Sequence, residues 1–490
     1  MTITSVTVLG GGTAGFIAAG MVKRSNPNIV VKVLRSANIP HIMVGEGTVG
    51  STPSHFHDRL GISKADFFQQ VDPTWKLGIR FKWGRRESFD YHFGRQFSKM
   101  FVKGCEYPLG FYVNPGEPLD NISLISALMT QNKTHLLNKA GGLDLTASNA
   151  AYHFENEKFV GFLEQHILSL GVEVITDTIV DVKQNEQGID HLVGELHTNY
   201  RADLFVDCSG FGGQLIHKTL GEPHRSFRDQ LFCNKAVVGG WRRTNEALLP
   251  YTTSYTMNAG WCWQIEHHRY INCGYVYSDA FISDEEAVEE FKKLHPMVAD
   301  TRLIPFETRA TERAWVKNVV AIGNANGFVE PLEATNIQVI CNTADRLATL
   351  LANNANPKIE DVDLFNAKTR NQWDSVKDFL ALHYKYNIRL DTDFWRSVRA
   401  NTHVGRLQKA VDYYIQNGPS EGIEEHIPES DLFGSEGLLT MLIGLGVQSN
   451  HNVALTSGAY TNVAKARQAF ARWAAQGVGS DESTALVKRS

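Results

Sequence analysis

Gly10-Gly11-Gly12-Thr13-Ala14-Gly15 constrains this chain more than any other segment. It follows Val6-Thr7-Val8-Leu9, a short apolar run rich in β-branched residues, and precedes the apolar, helix-compatible stretch Phe16 to Val22. Strand, glycine turn and helix in that order form a G-x-G-x-x-G unit. Gly10 permits the tight turn, Gly12 lets the backbone approach a pyrophosphate, and Gly15 allows the helix to pack closely on the strand. Gly11, Thr13 and Ala14 complete the loop, and the helix start aims aligned N–H groups at an anion. The expectation is dinucleotide binding, set against a glycine-rich turn that binds nothing.

The next strand, Ile29 to Leu34, ends in Arg35-Ser36 and not in the acid that usually takes the adenosine ribose hydroxyls, so that contact comes from Ser36, from backbone, or is not made. Two further units follow: Ala202 to Phe211 reads as a buried strand entering a glycine turn, and Val319 to Ala325 repeats the pattern before Gly327-Phe328-Val329-Glu330-Pro331-Leu332-Glu333. Three such units over more than 300 residues predict an α/β, two-dinucleotide-binding FAD flavoprotein with an inserted substrate module. We place the core at 1–345, with inserted β-sheet segments at about 80–200 and 225–300. From 346 to 490 a helical region packs on the core: Val362, Phe365, Trp373, Val376, Phe379 and Leu380, and later Val463, Phe470 and Trp473, recur at helical spacing. Residues 478–490 are polar and small and predict a frayed tail.

The 490 residues are 43% hydrophobic and 21% charged with a formal net charge of -5, which allows a large core and gives no basic field for nucleic acid or an anionic membrane. The six cysteines show no Cys-x-x-Cys pair and no zinc spacing, so no metal and a reducing compartment are expected. The first strand runs straight into glycines without a cleavable signal order, and no apolar run reaches membrane length. A cytoplasmic protein acting on small molecules is the expectation.

Three strings carry a sharper reading: Trp75-Lys76-Leu77-Gly78-Ile79-Arg80-Phe81; Gly260-Trp261-Cys262-Trp263-Gln264-Ile265 with Gly274-Tyr275-Val276-Tyr277-Ser278; and Gly327 to Thr335. In this order they resemble the signature segments of the flavin-dependent tryptophan-halogenase family. Taken alone, Lys76 in an apolar strand either snorkels to solvent or is buried for a purpose. Glu333 alone is either a surface carboxylate or an acid/base group, with Glu330 its rival three residues back. The resemblance implies that Lys76 takes hypohalous acid, made from flavin hydroperoxide and halide, and presents it to the substrate. Glu333 then polarises the electrophile or removes the ring proton. Trp261 and Trp263, whose alternation puts both indoles on one face of a strand, are either core or, by the resemblance, a gate between flavin and substrate.

The resemblance also implies halide binding by Thr335-Asn336, where the family has Thr-Gly; Asn tolerates left-handed backbone, so an anion nest survives. Ile337 then contacts the flavin and Asn324 its ribityl region. Ser36 to Thr48 resembles the family's second FAD segment and strap, which assigns Ser36, Ile39, Ile42, Val44, Glu46 and Gly47 to the cofactor. Phe93 resembles the aromatic stacking position of the substrate pocket. The paired tyrosines that clamp free tryptophan have no counterpart in Asp431 to Leu439, so indole or another electron-rich aromatic fits better than tryptophan. The implied cofactors are reduced FAD, O2 and bromide or chloride. The implied partner is a separate NAD(P)H-dependent flavin reductase, with a homodimer left open. An aromatic hydroxylase and a non-catalytic flavin-binding protein are the competing readings.

Overall fold

A computed structural model describes residues 2–38, 45–94, 119–145, 149–451 and 457–489. The β-branched runs become the inner strands of a six-stranded sheet, in the order Trp315–Val316, Val319–Ala321, Leu204–Asp207, Ser5–Leu9, Val30–Arg35 and Glu173–Thr176. All neighbours are parallel except the hairpin at the Trp315 edge. Strands covered on both faces need unbroken apolar runs, and Val6, Val8, Val206 and Val320 are completely buried. The three glycine-terminated strands thus lie side by side, with their turns at one end of the sheet. Helix Thr13–Ser25 packs between this sheet and helix Asn336–Asn353. A Cβ on Gly15 would fall on the carbonyl oxygen of Gly10, which has φ +126°; only glycines let the helix start this close to the strand.

A second sheet of seven strands runs Thr301–Pro305, Lys235–Arg242, Tyr270–Tyr277, Gly260–Glu266, Thr252–Met257, Gly78–Lys82 and Phe89–His92. Its pairs are antiparallel except Thr252–Met257 with Gly78–Lys82. A three-stranded sheet, Gly45–Gly47, Ala151–Glu155 and Thr74–Lys76, bridges the two larger ones. The stretch 80–200 is divided between layers, since Glu173–Thr176 joins the parallel sheet.

The apolar segment from Trp75 to Phe81 is not one strand. Lys76 pairs with Ala151 in the small sheet, and Gly78 pairs with His92 in the large one. Between them, the Leu77 N–H donates to Pro250 O and its carbonyl accepts from Phe93 N, both at 2.7 Å. This change of sheet places Lys76 at the seam between layers.

Helix Ile359–Tyr386 buries Phe365, Trp373, Val376, Phe379 and Leu380, as their spacing predicts. In helix Ser457–Ala474, Phe470 is buried, whereas Trp473 is 39% exposed. The expected frayed tail is instead helix Ser480–Arg489, packed on helix Lys64–Gln70. Ser480, Ser483, Thr484 and Val487 are buried, and Thr134 Oγ1 donates to Ser483 Oγ at 2.9 Å. Small hydroxyl residues serve here as a close-packing face, which composition alone does not distinguish from a solvated tail.

Candidate active site

The cleft begins where helix Thr13–Ser25 starts. Gly12 caps that helix without a side-chain hydrogen bond, and its first turn holds no acid, so its leading N–H groups face the cleft without a competing carboxylate. Gly12, Thr13 and Ala14 line the cleft with Gly210, Asn324, Phe328 and Ile337. It continues past Glu46, Gly47 and Asn336 to Lys76, Trp263 and Ile265. Gly12, Glu46, Asn324, Asn336 and Lys76, which lie far apart in sequence, thus share one continuous cavity.

Not every residue expected at the cofactor joins them. Ser36 hydrogen-bonds Thr178 Oγ1 at 2.8 Å. The Arg35 guanidinium donates to Glu164 at 2.8 Å and to Thr176 at 3.2 Å, a partnership that its sequence position did not reveal. Ile39, Ile42 and Val44 lie outside the described residues.

Lys76 is fully buried, and its Nζ has no hydrogen-bond partner. Loss of hydration pulls its pKa down to about 7, opposed by the charge of Glu333. The Phe93 ring centroid lies 5.3 Å from Nζ, close enough for a cation–π contact when the amine is charged. Glu46, half-buried at the cleft wall, is pushed up to about 7 by desolvation.

The two candidate carboxylates separate by their contacts. Glu330 Oε2 accepts from Trp261 Nε1 at 2.8 Å and from Tyr384 OH at 2.6 Å, in a fully buried cluster. Desolvation pushes Glu330 up to about 7, while these donors favour its charged form. Glu333 Oε1 is 2.6 Å from His383 Nε2, and its Oε2 has no partner. Among the described residues each carboxylate keeps one oxygen without a partner, Oε1 of Glu330 and Oε2 of Glu333; what separates them is that Glu330 is tied to two core side chains, whereas the charge of Glu333 acts on Lys76. One consequence concerns stability. A carboxyl whose folded pKa lies above its unfolded value binds its proton more tightly when folded, and that stability is lost as pH rises through the folded value. Glu330→Gln removes this penalty. Its thermal midpoint relative to the unsubstituted protein is expected to rise between about pH 5 and about pH 8, and scanning calorimetry across that range checks it.

Trp261 and Trp263 project from strand Gly260–Glu266 onto one face, opposite Cys262, but differ in depth. Trp263 lines the cleft; Trp261 lies behind it, tied to Glu330. The Trp263 indole lies flat against Gly274, where a Cβ would come within 2.7 Å of the ring. No side chain larger than hydrogen fits beneath that indole.

Thr335 caps the 18-residue helix Asn336–Asn353 without a side-chain bond; Thr335 Oγ1 and Asn336 Oδ1 are buried and unpartnered. The left-handed residue of this loop is Ala334, φ +54°, two residues before the Asn336 at which the Thr-Asn argument placed it, and Asn336 is already helical. Unpaired N–H groups at a helix start beside the free Thr335 hydroxyl, which can donate, suit a small anion, whereas Asn336 Oδ1 is an acceptor and adds nothing to such a site. Sequence reasoning did not find His383 or Tyr384. Their signal was two polar residues at the end of the apolar stripe Phe379-Leu380-Ala381-Leu382.

Among the described residues, no helix is long and apolar enough to cross a membrane. The profile of the family described as tryptophan halogenase matches residues 5–459. The tryptophan 6-halogenase ThaL of Streptomyces albogriseolus is 32% identical over 462 residues, covering 88% of this chain and 84% of the relative. The crystal structure of MibH, a lanthipeptide-type tryptophan 5-halogenase, superposes with TM-score 0.90 at 31% identity, covering 100% of this chain and 94% of that one. BrvH, a flavin-dependent halogenase from Brevundimonas sp. BAL3, superposes with TM-score 0.88 at 28% identity, covering 99% of each chain. A cleft with this fold around it, matched along nearly its whole length by such enzymes, identifies the chain as a flavin-dependent halogenase of the tryptophan-halogenase family.

Proposed function

We propose that the protein halogenates an electron-rich aromatic such as indole, using reduced FAD from a separate reductase, O2 and bromide or chloride. The observation that carries this reading is the fully buried Lys76 amine, without a hydrogen-bond partner among the described residues and subject to the charge of Glu333, in a cleft that begins at a pyrophosphate-type glycine turn. The cleft fits an extended dinucleotide, with Gly12, Thr13 and Ala14 for the pyrophosphate, Asn324 for the ribityl chain, and Glu46, Gly47 and Ile337 beside the ring. When bound, reduced FAD supplies the oxidation of halide with O2. Thr335 and Asn336 hold the halide at the start of their helix.

The protein's own residues do the rest. Trp263, with Trp261 behind it, stands between the flavin end of the cleft and the substrate, so that a small electrophile passes and an organic molecule does not. Lys76, partly neutral at neutral pH, receives hypohalous acid as a haloamine or holds it by a hydrogen bond. Phe93 offers a flat face to the ring. The ring carbon bonds the halogen as the halogen's bond to nitrogen or oxygen breaks; the electron pair stays on that nitrogen or oxygen, which takes up a proton to become amine or water, and Glu333 takes the displaced ring proton. Named relatives act on tryptophan; here Asp431 to Leu439 carries no tyrosine pair, and Phe433 stacks on Phe379 with centroids 3.7 Å apart. That segment supplies packing and not a clamp for an amino acid, which favours a plain aromatic.

Mass spectrometry of products from the protein with FAD, a flavin reductase, NADH, O2 and indole tests this, with bromide, chloride or neither. Halogenated indole that requires halide is expected. Hydroxylated product independent of halide would transfer the reading to an aromatic hydroxylase.

A further inference from the structure

Proton bookkeeping between Glu333 and His383 leads beyond these assignments. His383 Nδ1 is 2.7 Å from the carbonyl oxygen of Phe379. A carbonyl only accepts, so Nδ1 carries hydrogen. The other nitrogen, Nε2, is 2.6 Å from Glu333 Oε1, and both side chains are buried, at 0% and 1% exposure. Two lone pairs do not approach this closely without a proton between them, so the pair holds one bridging proton. The walls around the imidazole are aromatic: Phe81, Phe379 and Trp83 lie 5.3, 5.1 and 6.1 Å away by centroid. Among the described residues the imidazole has no other hydrogen-bond partner. The ionisable groups that act on Glu333 from neighbouring elements are Lys76 and the buried Tyr91 hydroxyl.

We propose that His383 is a positioning residue that carries the bridging proton as an imidazolium and thereby keeps Glu333 an anionic base in a dry pocket. This rests on the halogenase reading above and deepens it. A carboxylate removed from water without a cation reverts to the neutral acid, which accepts no further proton at the open oxygen. With His383 charged, Oε1 is occupied by Nε2–H and Oε2 is free. When the halogenated ring breaks its C–H bond, the electron pair returns to the ring and the proton goes to Oε2. The pair passes from one proton to two, gains one positive charge, and returns the added proton to solvent before the next turnover. The nitrogen or oxygen that loses the halogen takes up one proton in turn, which balances the proton released and restores the Lys76 amine for the next electrophile.

Two variants test this. His383→Gln keeps a donor that cannot hold charge, and His383→Phe keeps bulk without a bond. FAD binding by each variant shows that it is folded. In the flavin-free protein, infrared difference spectra against Glu333→Gln are expected to show an ionised carboxylate at Glu333 in the unsubstituted enzyme and a carboxylic acid in His383→Phe. In turnover, both variants are expected to lose about 100-fold in kcat with little change in KM, the size of a lost base. They should also show a primary isotope effect with indole deuterated at the reacting carbon, absent from the unsubstituted enzyme. A folded His383→Gln with unchanged kcat and no isotope effect overturns the proposal, as does an acid form of Glu333 in the unsubstituted protein or an ionised one in His383→Phe. If the unsubstituted enzyme forms no halogenated product, the halogenase reading fails, while the infrared arm still decides the state of the pair.

Discussion

Lys76→Ala is expected to reduce formation of halogenated product by at least ~10³-fold while FAD still binds, because it removes the amine that carries the electrophile. Lys76 Nζ contributes no hydrogen bond to the fold. Its loss removes a buried cation without a partner, which costs free energy wherever it is charged. The linkage has a definite sign. Folding lowers the Lys76 pKa from 10.5 to about 7, so the folded state gives up this proton more readily than the unfolded chain. Stability associated with the neutral amine is present above the unfolded value and is lost as pH falls through the folded one. Lys76→Ala is therefore expected to gain thermal stability relative to the unsubstituted protein between about pH 10 and about pH 7, although it is inactive. If the electrophile travels as a haloamine, Lys76→Arg should be as inactive as the alanine variant, since a guanidinium stays protonated, whereas activity kept by the arginine variant would assign the hydrogen-bonded mode. Product yield by chromatography and flavin binding by fluorescence, read on the same samples, check both halves.

Glu333→Gln is the second large effect, with kcat expected to fall by about 10²- to 10⁴-fold, the range for a lost general base. The amide preserves size and can still bond His383, so binding of FAD and of the aromatic should change little. The loss should differ in kind from that at Lys76. Without the amine no electrophile is delivered, whereas without the carboxylate it is delivered and the halogenated ring gives up its proton slowly. The double variant should be scarcely worse than Lys76→Ala alone, because residues acting in one sequence are not additive. Steady-state kcat and KM for the single and double variants decide this.

The glycine turn was legible because its chemistry is backbone chemistry: Gly10 and Gly15 are needed where strand and helix approach, whatever surrounds them. The helix from Ile359 to Tyr386 was legible through its apolar spacing. Lys76, Glu333, Trp261 and Trp263 stood out through a family resemblance, and their burial and contacts became visible only in three dimensions. What stayed hidden depends on partners distant in sequence. His383 reaches Glu333 across 50 residues, and Trp261 reaches Glu330 across 69. The change of sheet at Leu77 is set by Pro250 and Phe93, which no local pattern in Trp75 to Phe81 announces. The helix at the C-terminus reads as polar because its packing face is serine and threonine, docked on residues near 64 to 70. The halide loop was read two positions late, since Asn336 attracted the left-handed conformation that Ala334 adopts.

The central claim is that the electrophile is handed through Lys76 to a ring held in the pocket, and does not escape into solution. The direct test runs the complete reaction with indole and bromide in the presence of a large excess of a thioether that destroys free hypohalous acid. This account predicts an undiminished yield of a single bromoindole. A yield that collapses with the thioether, or an isomer mixture matching that from free hypobromous acid and indole, would contradict it.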